Sequence, residues 1–453
     1  MANPLTYVIV GGNAAGMSAA RRIRRNDPQG TIIVLEKSNI VSYGACGIPY
    51  YIADIIKNKN DLIALPIEKF LADGIDVRVK HEVINIDIRK RSVYFRANNS
   101  LQTQTISYDR LILSLGARPL VPEIQGTDLN GVFTVRSLDE AETLKQELQQ
   151  GKHKKAVIIG GGSIGLEMAE ALRAYDVQVS IIERLPRVLP IIDSEMAMLA
   201  EEELKSNGCE VITGKEVKEI RGASGVTGVA LADGQTLEAS LVLVAVGVRP
   251  NTELAVKAGI QLGSAGAIQV DSRMRTNIRH VYAAGDCAEV KHLVINKFAY
   301  IPLGNTANKQ GRIAGDNASG GHSFLSGVVG NTAVKVFGLE IARSGITEAY
   351  AKRLKMPVKS VKIKSRTEAH YMPGSKPIHV KLIFDITSGR LLGAQMIGGE
   401  NVAKRMDILA TAIQQKMSVA EIAQLDLNYA PPFAPVWEPI LIAANQAVKS
   451  VRN

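Results

Sequence analysis

The run Tyr7-Val8-Ile9-Val10-Gly11-Gly12-Asn13-Ala14-Ala15-Gly16 takes an apolar strand straight into a glycine-rich turn. A helix is predicted to about Arg25, and then a second strand, Thr31 to Leu35, ends at Glu36. The same sentence is written again further on: Ala156 to Ile159, then Gly160-Gly161-Gly162-Ser163-Ile164-Gly165, a helix to about Tyr175, and Val177 to Ile182 ending at Glu183. The acid stands 20 residues after Gly16 in the first copy and 18 after Gly165 in the second. Glycines there let backbone approach a pyrophosphate. The helix amino terminus offers free N–H groups and a positive dipole end, and the carboxylate accepts from a ribose hydroxyl. One such turn is weak, since tight turns use glycine without any ligand; two with strand, helix and acid in place predict two dinucleotide-binding βαβ units. Asn13 replaces the middle glycine, and asparagine tolerates a left-handed backbone, so the turn is expected to survive.

Outward from these units, each is followed by a strand ending in glycine and Arg-Pro, Leu111 to Pro119 and Leu241 to Pro250. A third signature, Thr276 through Gly285-Asp286, predicts a short strand delivering an aspartate. From about Gly327 the glycine-rich turns stop, and a strand such as Val380 to Phe384 is followed by the helix-like run Val402 to Gln415, which marks a separate carboxyl-terminal domain. At 453 residues, with 46% hydrophobic and 22% charged, the chain is a multidomain globular protein and neither disordered nor fibrous. Its longest apolar stretch, Leu241 to Val248, is too short to span a membrane, and no leader is seen before Leu5, so a cytoplasmic location is expected. Three cysteines, Cys46, Cys209 and Cys287, are too few for a disulfide framework or a metal site and leave single-thiol chemistry.

The net charge of +10 is concentrated at Arg21, Arg22, Arg24 and Arg25, on the helix after the first turn. That favours a polyanionic small ligand over nucleic acid, because no basic and aromatic stripe recurs; a solvated helix face is the plain alternative.

With these features the chain resembles, over essentially its whole length, the pyridine nucleotide-disulfide oxidoreductases. The resemblance implies an α/β protein with two Rossmann-like domains and an α+β dimerisation domain: 1–118 with 250–326 for FAD, 119–249 for the nicotinamide nucleotide, and 327–453 for dimerisation. It implies FAD at Gly11, Gly12, Asn13, Ala14, Ala15, Gly16, Glu36, Lys37, Val83, Gly116, Asp286 and Ala307. NADH, with NADPH as the alternative, is implied at Gly160, Gly162, Ser163, Ile164, Gly165, Glu167, Glu183 and Gly247. No metal is expected.

The segment Val41-Ser42-Tyr43-Gly44-Ala45-Cys46-Gly47-Ile48-Pro49-Tyr50-Tyr51 looks like the single-cysteine branch, and most like the coenzyme A-disulfide reductases, as do Tyr429-Ala430-Pro431-Pro432-Phe433 and Lys404-Arg405-Met406-Asp407. Chemistry agrees with the branch. Dithiol members carry Cys-x4-Cys, but the residue five after Cys46 is Tyr51, and no histidine lies between Leu425 and Asn445. Cys46 therefore pairs with an incoming thiol or an oxygen. Peroxidases and water-forming oxidases of the family carry a histidine in the first turn, where this chain has Ala14. The resemblance places coenzyme A on Ser18, Arg22, Arg25 and Ser42, and gives Tyr429 and Tyr371 of a partner subunit catalytic work, so that a homodimer completes each site. A helix starting near Cys46, with Pro49 in its first turn, is expected to bring a positive dipole end to the sulfur and lower its pKa. Cys209 and Cys287 are expected to be packing residues.

The expected activity is FAD-dependent, NAD(P)H-driven reduction of coenzyme A disulfide or a small-thiol persulfide, with no nucleic acid, membrane or rhodanese-like extension. Ala45 and Trp437 depart from some relatives and leave the exact substrate open; Ser163 replaces a tyrosine that covers the flavin face and leaves it open to oxygen or quinones, and Met372 breaks a Tyr-Tyr pair next to Tyr371. An NADH oxidase or quinone reductase is the rival; a redox-sensing or nucleic-acid-binding flavoprotein has only the net charge behind it.

Overall fold

Consecutive aliphatic residues in the run Val8 to Val10 suit a strand covered on both faces, as parallel sheets require. In the computed structural model, which describes residues 4–98 and 100–451, Thr6–Val10 is the middle strand of a five-stranded parallel sheet. Its order is Val281–Ala283, Arg110–Leu113, Thr6–Val10, Thr31–Leu35, Ile75–Arg78. A second parallel sheet repeats the plan with Cys209–Thr213, Gln178–Glu183, Lys155–Ile159, Leu241–Val244 and Val132–Phe133. In both, the first strand of the repeat sits at the switch in strand order, where doubly wound sheets open their ligand crevice.

The two Arg-Pro tails meet. Ala117–Pro119 pairs antiparallel with Val248–Pro250, so the chain leaves the first unit and returns to it along one two-stranded ribbon. The carboxyl-terminal unit is an antiparallel sheet ordered Thr332–Val336, Leu339–Gly345, Leu391–Gly398, Pro377–Asp385, Val358–Arg366, packed against the helices Val402–Gln414 and Pro439–Val448. This is the α/β architecture with two Rossmann-like units that the repeats imply.

A buried ionic cluster ties that sheet to the second nucleotide unit. Lys381, 2% exposed, places its Nζ 2.9 Å from Asp193, 2.8 Å from Glu348 and against Glu195. Asp193 also accepts from the Glu348 and Ala349 backbone N–H groups and from Gln395 Nε2 at 2.6 Å. The segment before Asp193 is in turn bonded to the second glycine turn, Leu189 N–H donating to Gly161 O at 2.8 Å.

Candidate active site

The first turn is closed by backbone that only glycine tolerates. Gly11 has φ +103°, and a Cβ there would stand 2.1 Å from the Ser114 carbonyl oxygen. Gly12 N–H donates to Glu36 Oε2 at 2.7 Å and Ser38 N–H to Oε1 at 2.8 Å, so the acid is braced at the turn. Asn13 corrects an expectation. It is extended, with φ −102°, and needs no left-handed tolerance. Its Oδ1 instead accepts from Tyr43 N–H at 3.1 Å, while Ser42 N–H donates to Gly12 O at 2.9 Å, lacing the cysteine segment to the turn. Ser42 is the non-glycine residue here with a left-handed φ, +52°.

Ala14 and Ala15 open the helix Ala14–Asn26, with Gly16 in its first turn; Ala15, Gly285 and Ala307 are packed together. Among the described residues no hydrogen bond or ion pair engages the Asp286 carboxylate; burial raises its pKa and Arg136 opposes the rise. The Tyr300 hydroxyl, near enough for Asp286 to raise its pKa, is buried without a partner. An unpartnered carboxylate and phenol beside this turn are what a dinucleotide's ribityl and ring atoms would satisfy, so the residues fit FAD. Gly116 faces Arg136, Lys37 is exposed, and Val83 is buried in the strand His81–Asp87.

The second turn is built alike. Gly160 has φ +108°, Gly161 N–H donates to Glu183 Oε2 at 2.8 Å, and Leu185 N–H donates to Oε1 at 2.8 Å. Gly162 and Gly247 have nothing within 4 Å on the side a Cβ would occupy, which leaves room for a ligand. Ser163 starts the helix Ser163–Arg173, Gly165 lies in its first turn, and Ile164 is exposed. Glu167, one turn along, is pushed up to about 7 by burial and by Glu170.

Cys46 sits in a short 3₁₀ turn, Ala45–Gly47, ahead of a five-residue helix, Ile48–Ile52, with Pro49 in its first turn. Ile48, Tyr51 and Ile52 are buried in the second unit's core, Tyr175 Oη donates to Ile52 O at 2.9 Å, and Lys145 lies over the Tyr51 ring. The sulfur is accessible yet hemmed in by protein. Burial raises the Cys46 pKa, with Glu167 and Asp286 adding to the rise and Arg136 opposing it. This corrects the expected lowering: a helix of five residues has too small a dipole to offset desolvation and two carboxylates. The same influences locate the site, because Glu167 and Asp286 come one from each unit and converge on Cys46. Arg136 and Tyr300 belong to this group and carry no motif that singles them out, and Tyr50, inside the cysteine segment, joins them. Tyr50 is pushed up to about 12 by burial and by Glu167, Glu170 and Cys46. Cys209 and Cys287 are buried, each pushed up to about 11 by that burial.

The sequence pattern of pyridine nucleotide-disulphide oxidoreductases matches residues 5–311, and that of their dimerisation domain matches 332–439. The chain belongs to this family. It is 35% identical over 448 residues to a Methanocaldococcus jannaschii protein named NADH oxidase, covering 98% of this chain and 99% of that one. It is 30% identical over 429 residues to the coenzyme A disulfide reductase of Staphylococcus epidermidis, covering 94% and 96%. The solved structure of an NAD-dependent persulfide reductase from A. fulgidus is 40% identical and superposes with a TM-score of 0.95 over 98% of this chain and 83% of that one.

In this oxidoreductase the arginine cluster is mostly engaged already. Arg22 donates from Nε to Asp316 Oδ1 at 2.8 Å, with Nη2 at 2.6 Å, so of the two arginines the resemblance gives to coenzyme A, Arg22 is already ion-paired. Arg24 bonds the carbonyls of Asp27, Pro28 and Gly74, Arg21 lies 3.8 Å from Asp73, and Ser18 Oγ donates to Asn308 Oδ1 at 2.7 Å. Arg25 is exposed and has no ion pair among the described residues.

Tyr371 and Tyr429 come together on the carboxyl-terminal unit, 61% and 48% exposed, near enough for Tyr429 to raise the Tyr371 pKa. Neither is among the groups that shift Cys46. Phe433, Val436 and Trp437 extend an exposed apolar surface beside them, of the kind that marks an interface. No helix among the described residues is long and apolar enough to cross a membrane.

Proposed function

We propose that this oxidoreductase is an FAD-dependent, NAD(P)H-driven reductase of coenzyme A disulfide and of coenzyme A or small-thiol persulfides. The observation that carries the reading is Cys46: an accessible, single cysteine on which groups from both nucleotide units converge. In this reading residues 1–118 and 250–326 hold FAD, 119–249 the nicotinamide nucleotide, and 327–453 the dimer contact. FAD, when bound, passes an electron pair from the nicotinamide to a disulfide at Cys46. The chain's residues do the rest. The first turn, Glu36 and Asp286 hold the flavin nucleotide; the second turn and Glu183 hold NADH, with Glu167 at the nicotinamide. Cys46 carries half of the substrate as a mixed disulfide, Arg25 with Ser18, Arg22 and Ser42 receives its nucleotide end, and Tyr429 of the partner subunit protonates the departing thiolate. The balance is Cys46–S–S–CoA plus two electrons and one proton, giving the Cys46 thiolate and coenzyme A. The M. jannaschii relative's name favours an oxidase as a second reading. Anaerobic NADH oxidation on addition of coenzyme A disulfide, without turnover when oxygen is the sole acceptor, is the expected result; oxygen-driven turnover that ignores the disulfide supports the oxidase.

NADH should be favoured over NADPH, because the Glu183 carboxylate accepts from a free 2′-hydroxyl and repels a 2′-phosphate. The nearby Arg187 is neutralised by Glu201 at 2.8 Å, so it offers the phosphate little. A kcat/KM with NADPH equal to or above that with NADH contradicts this. With Arg22 held by Asp316, Arg25→Ala alone should raise KM for coenzyme A disulfide about tenfold or more, since a charge-assisted contact is worth roughly 1.5–3 kcal/mol. Its KM for a small uncharged disulfide should stay put; an unchanged KM for both makes the cluster a solvated helix face.

A further inference from the structure

Tyr371 and Tyr429 stand on irregular segments and are 61% and 48% exposed, so packing around the side chains constrains only part of where they point. What fixes the segments lies beneath them. Arg405, buried on the helix Val402–Gln414, donates from Nη2 to Thr367 O at 2.8 Å, at the base of the Tyr371 segment. The same nitrogen donates to Phe433 O at 2.8 Å, at the base of the Tyr429 segment. Its Nε donates to Glu438 Oε1 at 2.9 Å, and Glu438, itself buried, stands directly before the helix Pro439–Val448. The two segments are joined directly as well, Ala369 N–H donating to Pro431 O at 3.1 Å. Arg405 Nη1 and Glu438 Oε2 are buried with no partner, so the pair retains unused hydrogen-bonding capacity and an ionic cost that folding alone does not require. The run Lys404-Arg405-Met406-Asp407 thus turns only Arg405 and Met406 inward, and the planar guanidinium holds two carbonyls and a carboxylate in a fixed fork that a flexible ammonium does not reproduce.

We propose that Arg405, with Glu438, is a positioning residue that locks the Tyr371 and Tyr429 segments into one rigid presentation, so that a dimer partner receives the two phenols as a pair. This rests on the reading that Tyr429 of the partner subunit serves the Cys46 site. The test compares Arg405→Met, Arg405→Lys and Glu438→Gln with Tyr429→Phe in the FAD-loaded protein. It measures steady-state reduction of coenzyme A disulfide, stopped-flow flavin reduction by NADH, and mass by light scattering. Arg405→Met should lower kcat about ten- to a hundredfold, the cost of displacing a reacting group by about 1 Å, with KM for NADH, flavin reduction and dimer mass unchanged. Arg405→Lys and Glu438→Gln, which keep part of the bonding, should fall between it and wild type; they decide the matter if Arg405→Met does not fold. If Tyr429→Phe lowers kcat while the Arg405 and Glu438 variants turn over like wild type, the positioning role is wrong and the tyrosine reading stands. If Tyr429→Phe itself turns over like wild type, the tyrosine reading fails and the positioning role falls with it. A loss of kcat matched by loss of dimer makes Arg405 merely structural and overturns the proposal.

Discussion

Cys46→Ser should reduce coenzyme A disulfide turnover to background while flavin reduction by NADH proceeds at close to the wild-type rate. Serine keeps the size of the side chain but cannot enter thiol-disulfide exchange, whose reacting species is a thiolate. Neither of the other cysteines can substitute, since Cys209 and Cys287 are buried and held protonated by that burial. The glycine turns, Glu36, Glu183 and Asp286 are untouched by the change, so nucleotide binding persists. Stopped-flow absorbance separates the two half-reactions. A variant that retains disulfide turnover removes Cys46 from the mechanism.

The second large effect concerns stability. Lys381→Met should destabilise the protein by about 3–5 kcal/mol, because it strands the buried Asp193 and the partly buried Glu348 without their cation. Burial by itself would raise Asp193, but the Lys381 ammonium and the Ala349 and Glu348 N–H groups hold it below the usual carboxylate range. Burial opposes Glu348 too, and Lys352, Lys381 and Ser360 bring it down to about 2. Groups whose folded pKa is depressed contribute fully above their unfolded values near 4, and that contribution disappears as pH falls toward 2. Urea unfolding at neutral pH should therefore show the full difference between variant and wild type, and the difference should narrow below about pH 4. A loss of under about 1 kcal/mol at neutral pH shows that the cluster does not hold the sheet to the nucleotide unit.

What the sequence reveals here is what backbone sterics dictate. Gly11 and Gly160 adopt φ values of +103° and +108° in matching turns, and only glycine does so freely, so the repeats and their acids are legible one residue at a time. Asn13 shows the limit. Its place in the turn is legible, but its extended backbone and its bond to Tyr43 depend on how the cysteine segment folds back. Arg22 shows another: its counter-ion, Asp316, is 294 residues away, and only the packing of two helices reveals that the arginine is taken. The approach of Arg136 to Asp286 spans about half as many residues but is just as non-local, and nothing local marks Arg136 or Tyr300. The acidity of Cys46 is misjudged from sequence because a proline at a helix start is visible there and two converging carboxylates are not.

Coenzyme A released per flavin is the most direct measure of the central claim. The oxidised, FAD-loaded protein is first treated with coenzyme A disulfide, freed of excess ligand and then titrated anaerobically with NADH. A Cys46 mixed disulfide accepts one electron pair beyond the flavin's own, so two NADH per subunit should be consumed and one coenzyme A released, with Cys46→Ser consuming one and releasing none. One NADH per wild-type subunit with no coenzyme A released contradicts the account.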